Sequence, residues 1–446
     1  MAKTVTQYVC QNCGATYPKW AGRCEQCGEW NSLVESVSTV AGTTTKKGNA
    51  VATLRPEKLS EVAGKKLPRI GSGVDEVDQV LGGGIVPGSV MLLSGDPGIG
   101  KSTLVLQVAA AIAANKAVLY VSGEESTSQV KLRADRLGVK AGQLSLLSET
   151  NVDAIAATVA GGEYQLVIID SIQTMATDDL TGSPGTVGQI TASAQRLQQV
   201  AKANHVATII IGHVTKEGTI AGPKILEHLV DVVLYLEGDR YGSFKALRGI
   251  KNRFGSTSGV GIFEMGETGL TPVPNPSAAL LAERQEAPGS AVLATVEGTR
   301  PILVEVQALV SKSVFGYPKR TASGFDLNRL NLLVAVLTKR AGLNLSDQDI
   351  YVNIIGGLKV TEPAADLAII LAIASAYKNT PIAHNLIAFG EVGLSGEIRS
   401  VSNVSARLAE AKKLGFRYAV GPSRQPTKDM SQVTTIKQAI EAALPS

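Results

Sequence analysis

The segment Gly95-Asp96-Pro97-Gly98-Ile99-Gly100-Lys101-Ser102-Thr103 fills the pattern G-x-x-x-x-G-K-[ST], a glycine-rich loop that holds nucleotide phosphates. Its backbone N–H groups, together with the start of the helix that follows, supply donors to the phosphates. Lys101 is spaced to reach the β- and γ-phosphates and Ser102 to meet a Mg²⁺ ion, so ATP and Mg²⁺ are the expected cofactors. Two acidic positions extend the set. Asp170 closes the apolar run LVIID (166–170), where a second Mg²⁺-supporting carboxylate is expected. Glu124 and Glu125 follow AVLYVSG (117–123), and a carboxylate there can orient and deprotonate an attacking water. Residue type leaves the choice between these two acids open. His213, ending ATIIIGH (207–213), is either a γ-phosphate sensor or a structural histidine.

The four cysteines of the chain form a second constellation. Cys10-x2-Cys13 and Cys24-x2-Cys27 are two knuckles, each offering two thiolates, the ligand set of a closed structural Zn²⁺ site. Trp20 and Trp30 lie in the same segment; the expectation is that they build its small core and do not stack on bases. A third cluster is basic. In ALRGIKNRFGSTSG (246–259), Arg248, Lys251 and Arg253 fall within six residues. Three readings compete: a solvated edge, a nucleic-acid contact, or cations meant for a phosphate.

The elements that must position these groups are legible as pattern. SVMLLSG (89–95), AVLYVSG, LVIID, ATIIIGH and VVLYLEG (232–238) are continuous, β-branched-rich runs, as in strands covered on both faces. Helical stretches such as 103–114 and 190–204 separate them, which is the signature of a parallel sheet in an α/β domain. Phe244–Ile250 reads as a strand delivering Lys251 and Arg253 at its end, on one side if the extended conformation continues. Residues 1–36 form the cysteine module, and the Thr-, Ser- and Gly-rich 37–57 a flexible linker. Residues 58–275 form the ATP-binding domain. After TPVPNPS (271–277) and EAPGS (286–290), residues 286–446 form a separate α+β domain. There, paired strands flank Gly298, and helices are expected near 328–341, 363–377 and 404–414. No apolar leader opens the chain and no run is long enough to span a bilayer, so a cytoplasmic protein without a membrane partner is expected. The formal charge of +4 permits a polyanionic partner without requiring one.

Taken together, the zinc knuckles, the phosphate loop and Lys251-Asn252-Arg253-Phe254-Gly255 resemble the RadA (Sms) family of bacterial recombination and repair ATPases over essentially the whole chain. The resemblance implies a RecA-like P-loop core, assembled as a hexameric ring like replicative helicases. It further implies movement along single-stranded and branched DNA and branch migration with the recombinase RecA. Glu124 then matches the catalytic acid, with Glu125 second. TGSPGTVGQ (181–189) and TKEGTIAGPK (215–224) match DNA-facing loops. Lys251 and Arg253 match a pair that reaches across a subunit interface to the neighbour's γ-phosphate. Residues from about 290 onward resemble the proteolytic domain of Lon, strongest at EPAADLA (362–368) and GEVGLSGEIRSVSNVSARLAEA (390–411). Ala364 occupies the nucleophile position, and the lysine position falls near Ser405, with Arg407 the nearest basic residue. A methyl group cannot attack a carbonyl and a guanidinium cannot act as the base, so proteolysis is excluded. Lys312, Lys319, Arg320 and Arg329 make this domain a possible DNA contact. A DNA-dependent motor is favoured over a RecA-like regulatory ATPase that does not translocate on DNA.

Overall fold

A computed structural model of the chain describes residues 3–10, 13, 15–40, 68–139, 142–213, 223–238, 244–314, 316–422 and 430–444. The apolar runs are strands. Val90–Gly95, Val118–Ser122, Leu166–Asp170 and Ala207–Ile211 are buried along their whole length. Side chains on both faces of these strands must leave water, which is why the runs are continuous and do not alternate. Leu144–Ser148 and the strand beginning at Val232 pair with them, all in parallel. The spatial order is Val232, Val90–Gly95, Ala207–Ile211, Leu166–Asp170, Val118–Ser122, Leu144–Ser148. Parallel neighbours need crossovers, and the helices Lys101–Ala113, Thr127–Arg136, Val152–Gly161 and Val187–Ala203 supply them.

This topology brings the C-terminal ends of the strands to one edge. Leu93 pairs with Ile211, Ile169 with Ile210, and Ser122 with Asp170. Gly95, Glu124, Asp170 and His213 therefore leave the sheet on the side where open α/β sheets bind ligands.

The cysteine module is a three-stranded antiparallel sheet of Lys3–Cys10, Thr16–Tyr17 and Leu33–Val40. The last strand pairs with the first from Cys10↔Leu33 to Lys3↔Val40, so 37–40, expected to be linker, are sheet. The rest of that linker lies outside the described residues. Cys10, Cys24 and Leu33 form the core, packed by Tyr8, Ala15, Tyr17 and Ala21. Trp20 and Trp30 are 58% and 69% exposed, which corrects the expectation that they fill the module's interior. The converging thiols and two tyrosines already occupy that space.

The chain divides into two compact units, and the division does not follow the composition break at 275–286. The second unit takes 237–248, 257–266 and 270–446, so the boundary falls inside the strand Phe244–Asn252. Within the second unit, Phe244–Arg248 pairs antiparallel with Val260–Glu264. A seven-stranded sheet runs in the order Arg320–Ser323, Gln348–Ile354, Arg300–Lys312, Ser290–Glu297, Leu386–Ala388, Tyr418–Pro422, Met430–Val433. Its central hairpin turns at Gly298 (φ 65°), where a Cβ would stand 1.7 Å from the Ser258 carbonyl oxygen. Glycine is required there by conformation and by space. The helix Ala365–Lys378 is buried from Ala365 through Ser375 and carries much of the core.

Where the resemblance to Lon is strongest, Ala364 is 1% exposed and Arg407 fully buried. Arg407 donates to the Ala294 carbonyl (2.6 Å), the Ser402 carbonyl (3.0 Å) and both oxygens of Glu362, and lies 5.6 Å from the Phe389 ring centroid. Glu362 also accepts from Thr295 Oγ1 and the Val296 N–H. A hydrogen-bonded ion pair thus joins buried Arg407 to Glu362, two residues before Ala364. Breaking such a pair from one side strands a buried charge, whereas replacing both members does not. Arg407→Leu is expected to destabilise this unit by about 3–5 kcal/mol, and Glu362→Leu added to it to recover part of the loss. Urea unfolding of the full chain, followed by circular dichroism, checks this; equal stability of Arg407→Leu and the parent would contradict it.

Candidate active site

The phosphate loop follows the strand Val90–Gly95 and ends at Gly100, which caps the helix Lys101–Ala113. Gly95 has φ 150°, and a Cβ there would lie 2.3 Å from the Leu236 carbonyl oxygen, so the loop can leave the sheet only through glycine. Lys101 is 3% exposed, and its ammonium donates to the carbonyls of Gly95 (2.9 Å) and Asp96 (3.0 Å). Burial lowers its pKa, opposed by the charges of Asp170, Asp96 and Glu124. Three acids expected at the site are therefore close enough to act on this one ammonium. Ser102 and Thr103 open the helix, with their backbones at its N-terminus.

The structure separates the two adjacent glutamates. Glu125 is held by Arg133 Nη1 at 2.8 Å, and its N–H donates to Ser122 Oγ. Glu124 instead accepts from Ser171 Oγ (2.5 Å) and lies 3.7 Å from His213 Nε2. Burial, then the Lys101 charge, holds His213 below its ordinary range, favouring neutral imidazole at neutral pH. Glu124, Asp170, Lys101 and His213 are one cluster; Glu125 is taken up by its ion pair with Arg133. Ser171 was not singled out in the sequence. Its position directly after Asp170 is the only signal that could have found it.

Lys251 and Arg253 are elsewhere. Extended backbone ends at Asn252 and a turn follows, so the two cations do not project together as expected. The Asn252 side chain closes the turn by accepting from the Phe254 N–H (2.9 Å). Lys251 donates to the carbonyls of Glu227 (2.6 Å) and Val230 (2.9 Å). Arg253 is half-exposed and pairs with Asp231 at 3.2 Å. Asp231, 4% exposed, also accepts from the Val90 N–H, and its own N–H donates to the Val90 carbonyl. Val90 begins the strand whose other end is Gly95. At roughly 3.3 Å per residue, Arg253 is anchored about 16 Å along the sheet from its own phosphate loop. Arg69 ties this turn to the end of the helix Asp75–Leu81, donating to the carbonyls of Leu81 and Phe254. Arg248 leaves the basic cluster altogether: it bridges Glu237 and Glu297.

Other expected contacts divide in the same way. Residues 181–184 are exposed, but Gln189 is 2% exposed and braces that loop through the carbonyls of Thr177, Leu180 and Gly182. The second loop, 215–222, and the side chain of Lys224 lie outside the described residues. Arg320 is committed to the carbonyls of Gln348 and Leu345, and Arg329 to buried Asp366.

In the cysteine module the four Sγ atoms lie within 4.8 Å of one another, with Cys10–Cys27 at 3.6 Å and Cys13–Cys24 at 3.5 Å. Tetrahedral Zn–S bonds of 2.3 Å place sulfurs roughly 3.8 Å apart, so the four thiols fit the ion. The Tyr17 hydroxyl, 3.4 Å from Cys24 Sγ, pulls that thiol down to about 6, toward the thiolate a metal needs.

The sheet order, glycine loop and clustered acids define a P-loop ATPase core of RecA-like fold. A four-cysteine zinc module precedes it and a Lon-like domain follows. Comparison with known families agrees. Residues 60–219 match the family described as AAA domain, residues 8–35 the rubredoxin metal binding domain, and residues 328–425 the family described as subunit ChlI of Mg-chelatase. The DNA repair protein RadA of Halalkalibacterium halodurans is 47% identical over 100% of both chains. That of Bacillus subtilis is 48% identical over 95% of this chain and 93% of its own. Among solved structures, a KaiC-like protein from Pyrococcus horikoshii covers 47% of this chain and 100% of its own, with 22% identity and a TM-score of 0.40. The chain belongs to the RadA family of DNA repair proteins. Among the described residues, no helix is long and apolar enough to cross a membrane.

Replacing Cys10 and Cys13 together by serine removes two of four ligands and is expected to lower bound zinc from about one equivalent per chain to near none. Elemental analysis of the purified variant checks this; an unchanged zinc content would refute the ligand set.

Proposed function

We propose that the chain is a DNA-dependent ATPase motor that assembles as a hexameric ring on single-stranded and branched DNA. In this reading it promotes branch migration alongside RecA during repair. The observation that carries it is the placement of Arg253, held by Asp231 at the sheet edge opposite its own phosphate loop. A cation there can serve a γ-phosphate only if that phosphate belongs to a neighbouring copy.

ATP phosphates would lie against the backbone N–H groups of the loop 95–103, Pro97 having none, with Lys101 exchanging its two carbonyl acceptors for phosphate oxygens. Ser102 and Asp170 would hold Mg²⁺, which would supply positive charge against that of the phosphates. Glu124 would take the proton of the attacking water. Ser171 donates to Glu124 Oε1, the oxygen that His213 Nε2 also faces, so Oε2 would be the oxygen offered to the water and His213 would sense the γ-phosphate. Arg253 of one copy would stabilise the charge that develops at the next copy's γ-phosphate. Lys251, locked to two carbonyls, shapes the turn that carries Arg253 and reaches a phosphate only by leaving them. The exposed, small and polar residues 181–184 suit backbone contacts to DNA that read no sequence.

Two measurements test this. ATP hydrolysis is expected to rise severalfold on adding single-stranded DNA at low salt and to lose that rise as salt increases. No stimulation and no binding would favour a regulatory ATPase. Lys101→Ala and Arg253→Ala are each expected to lose hydrolysis, by about 10³-fold for the arginine. Mixing the two variants should restore part of it, since some interfaces then join an intact loop to an intact cation. A mixture as inactive as its components would rule out catalysis across the interface.

A further inference from the structure

Behind Asp170 lies a buried polar cluster on the adjacent strand and the helix that follows it. Tyr120 is 1% exposed, and its hydroxyl donates to Asp170 Oδ2 at 2.5 Å. The same hydroxyl accepts from Arg133 Nη2 at 2.9 Å. Arg133 Nη2 is itself 3.6 Å from Asp170 Oδ2, while Nη1 grips Glu125 at 2.8 Å. The geometry has a local origin. Tyr120 and Ser122 sit on the strand paired with Leu166–Asp170, in the register Tyr120↔Ile168 and Ser122↔Asp170. Ser126 and Gln129 form a reciprocal cap that sets where the helix Thr127–Arg136 begins, and Arg133 lies two turns along it.

A hydroxyl is costly to bury unless it has a partner, so a tyrosine here signals a need for the oxygen. Burial, followed by the negative charge of Asp170, raises the Tyr120 hydroxyl well above its ordinary range. It therefore remains a donor at any working pH. An aspartate carboxylate turns about a broad, roughly two-fold torsion, and nothing intrinsic selects which oxygen faces a ligand. Tyr120 and Arg133 both address Oδ2, which leaves Oδ1 as the oxygen on offer.

We propose that Tyr120, backed by Arg133, is a positioning residue for hydrolysis: it holds Oδ2 of Asp170 so that Oδ1 is presented to the Mg²⁺ that accompanies the nucleotide. This rests on Asp170 supporting that ion. Arg133 adds a second constraint, because the guanidinium that backs Tyr120 also ties down Glu125 and so fixes the turn bearing Glu124. One side chain thereby sets the orientation of both the metal-supporting acid and the acid that faces water.

The test is binding of a fluorescent ADP analogue to the full chain, followed by anisotropy across a Mg²⁺ titration. Tyr120→Phe is expected to leave affinity without Mg²⁺ within about twofold of the parent and to raise the Mg²⁺ concentration for half-maximal tightening about tenfold, as loss of a charge-assisted hydrogen bond implies. Hydrolysis at saturating Mg²⁺ should show a lower kcat with little change in KM. Asp170→Asn is the reference. If Asp170→Asn raises the Mg²⁺ requirement and folded Tyr120→Phe stays within twofold of the parent, the positioning role is overturned. If Asp170→Asn has no effect either, the assignment of Asp170 itself fails. Should circular dichroism show Tyr120→Phe unfolded, Arg133→Lys is read instead. Its single ammonium nitrogen replaces the two that separately hold Tyr120 and Glu125 and cannot reproduce that fork, so a shift in the same direction is expected; no shift overturns the proposal.

Discussion

The buried carboxylate of Asp231 sets the geometry on which the rest of the nucleotide chemistry depends. It accepts from the first N–H of the phosphate-loop strand and from Arg253 in the Lys251–Gly255 turn. One nearly inaccessible charge therefore anchors both segments at the end of the sheet away from Gly95. A buried carboxylate persists only with such donors, and removing it would release the strand and the turn together. The loop and the cation are rigidly related because they share this anchor. They are also kept apart by the length of a strand. A site that needs both is incomplete within one chain, which is the physical basis of the proposal that neighbouring copies share it.

Buried charge recurs as a means of fixing orientation. Arg133 holds Tyr120, Asp170 and Glu125 behind the nucleotide edge. Arg329 holds Asp366, whose pKa burial raises while Arg329 and the Val392 N–H lower it. Arg407 holds Glu362 in the second unit. Such pairs contribute little net stability, since desolvation offsets most of the attraction, yet each is costly to break from one side.

Much of the ATPase core was legible because its signals are local. The glycine loop encodes its own backbone, and the strands announce themselves through unbroken apolar runs. The short strand Leu144–Ser148 was not legible, because it is only partly buried at the sheet edge and mixes serine with leucine. The strands Tyr418–Pro422 and Met430–Val433 and the helix Ile436–Ala443 were missed for a related reason. Each is short, and its apolar residues acquire meaning only against the second unit's core. The tryptophans misled in the other direction. Size and apolarity argue for burial, but a module whose interior is filled by thiols and tyrosines has no room for indoles.

By itself the sequence determined the chemistry that spacing alone can encode: a phosphate loop with its lysine, two cysteine knuckles, an acid at a strand end, and a protease signature without its nucleophile. Those features lie within a few residues of one another, so backbone geometry relates them directly. Tertiary structure decided between groups whose partners are distant in sequence. Arg133 takes Glu125 and leaves Glu124 facing Lys101; Glu237 and Glu297 take Arg248 out of the basic cluster; Asp231 turns Arg253 away from its own loop. Charge is unscreened and unsatisfied donors are costly inside a fold, so which cation meets which carboxylate is settled by packing, and packing is not written in any one stretch of the chain.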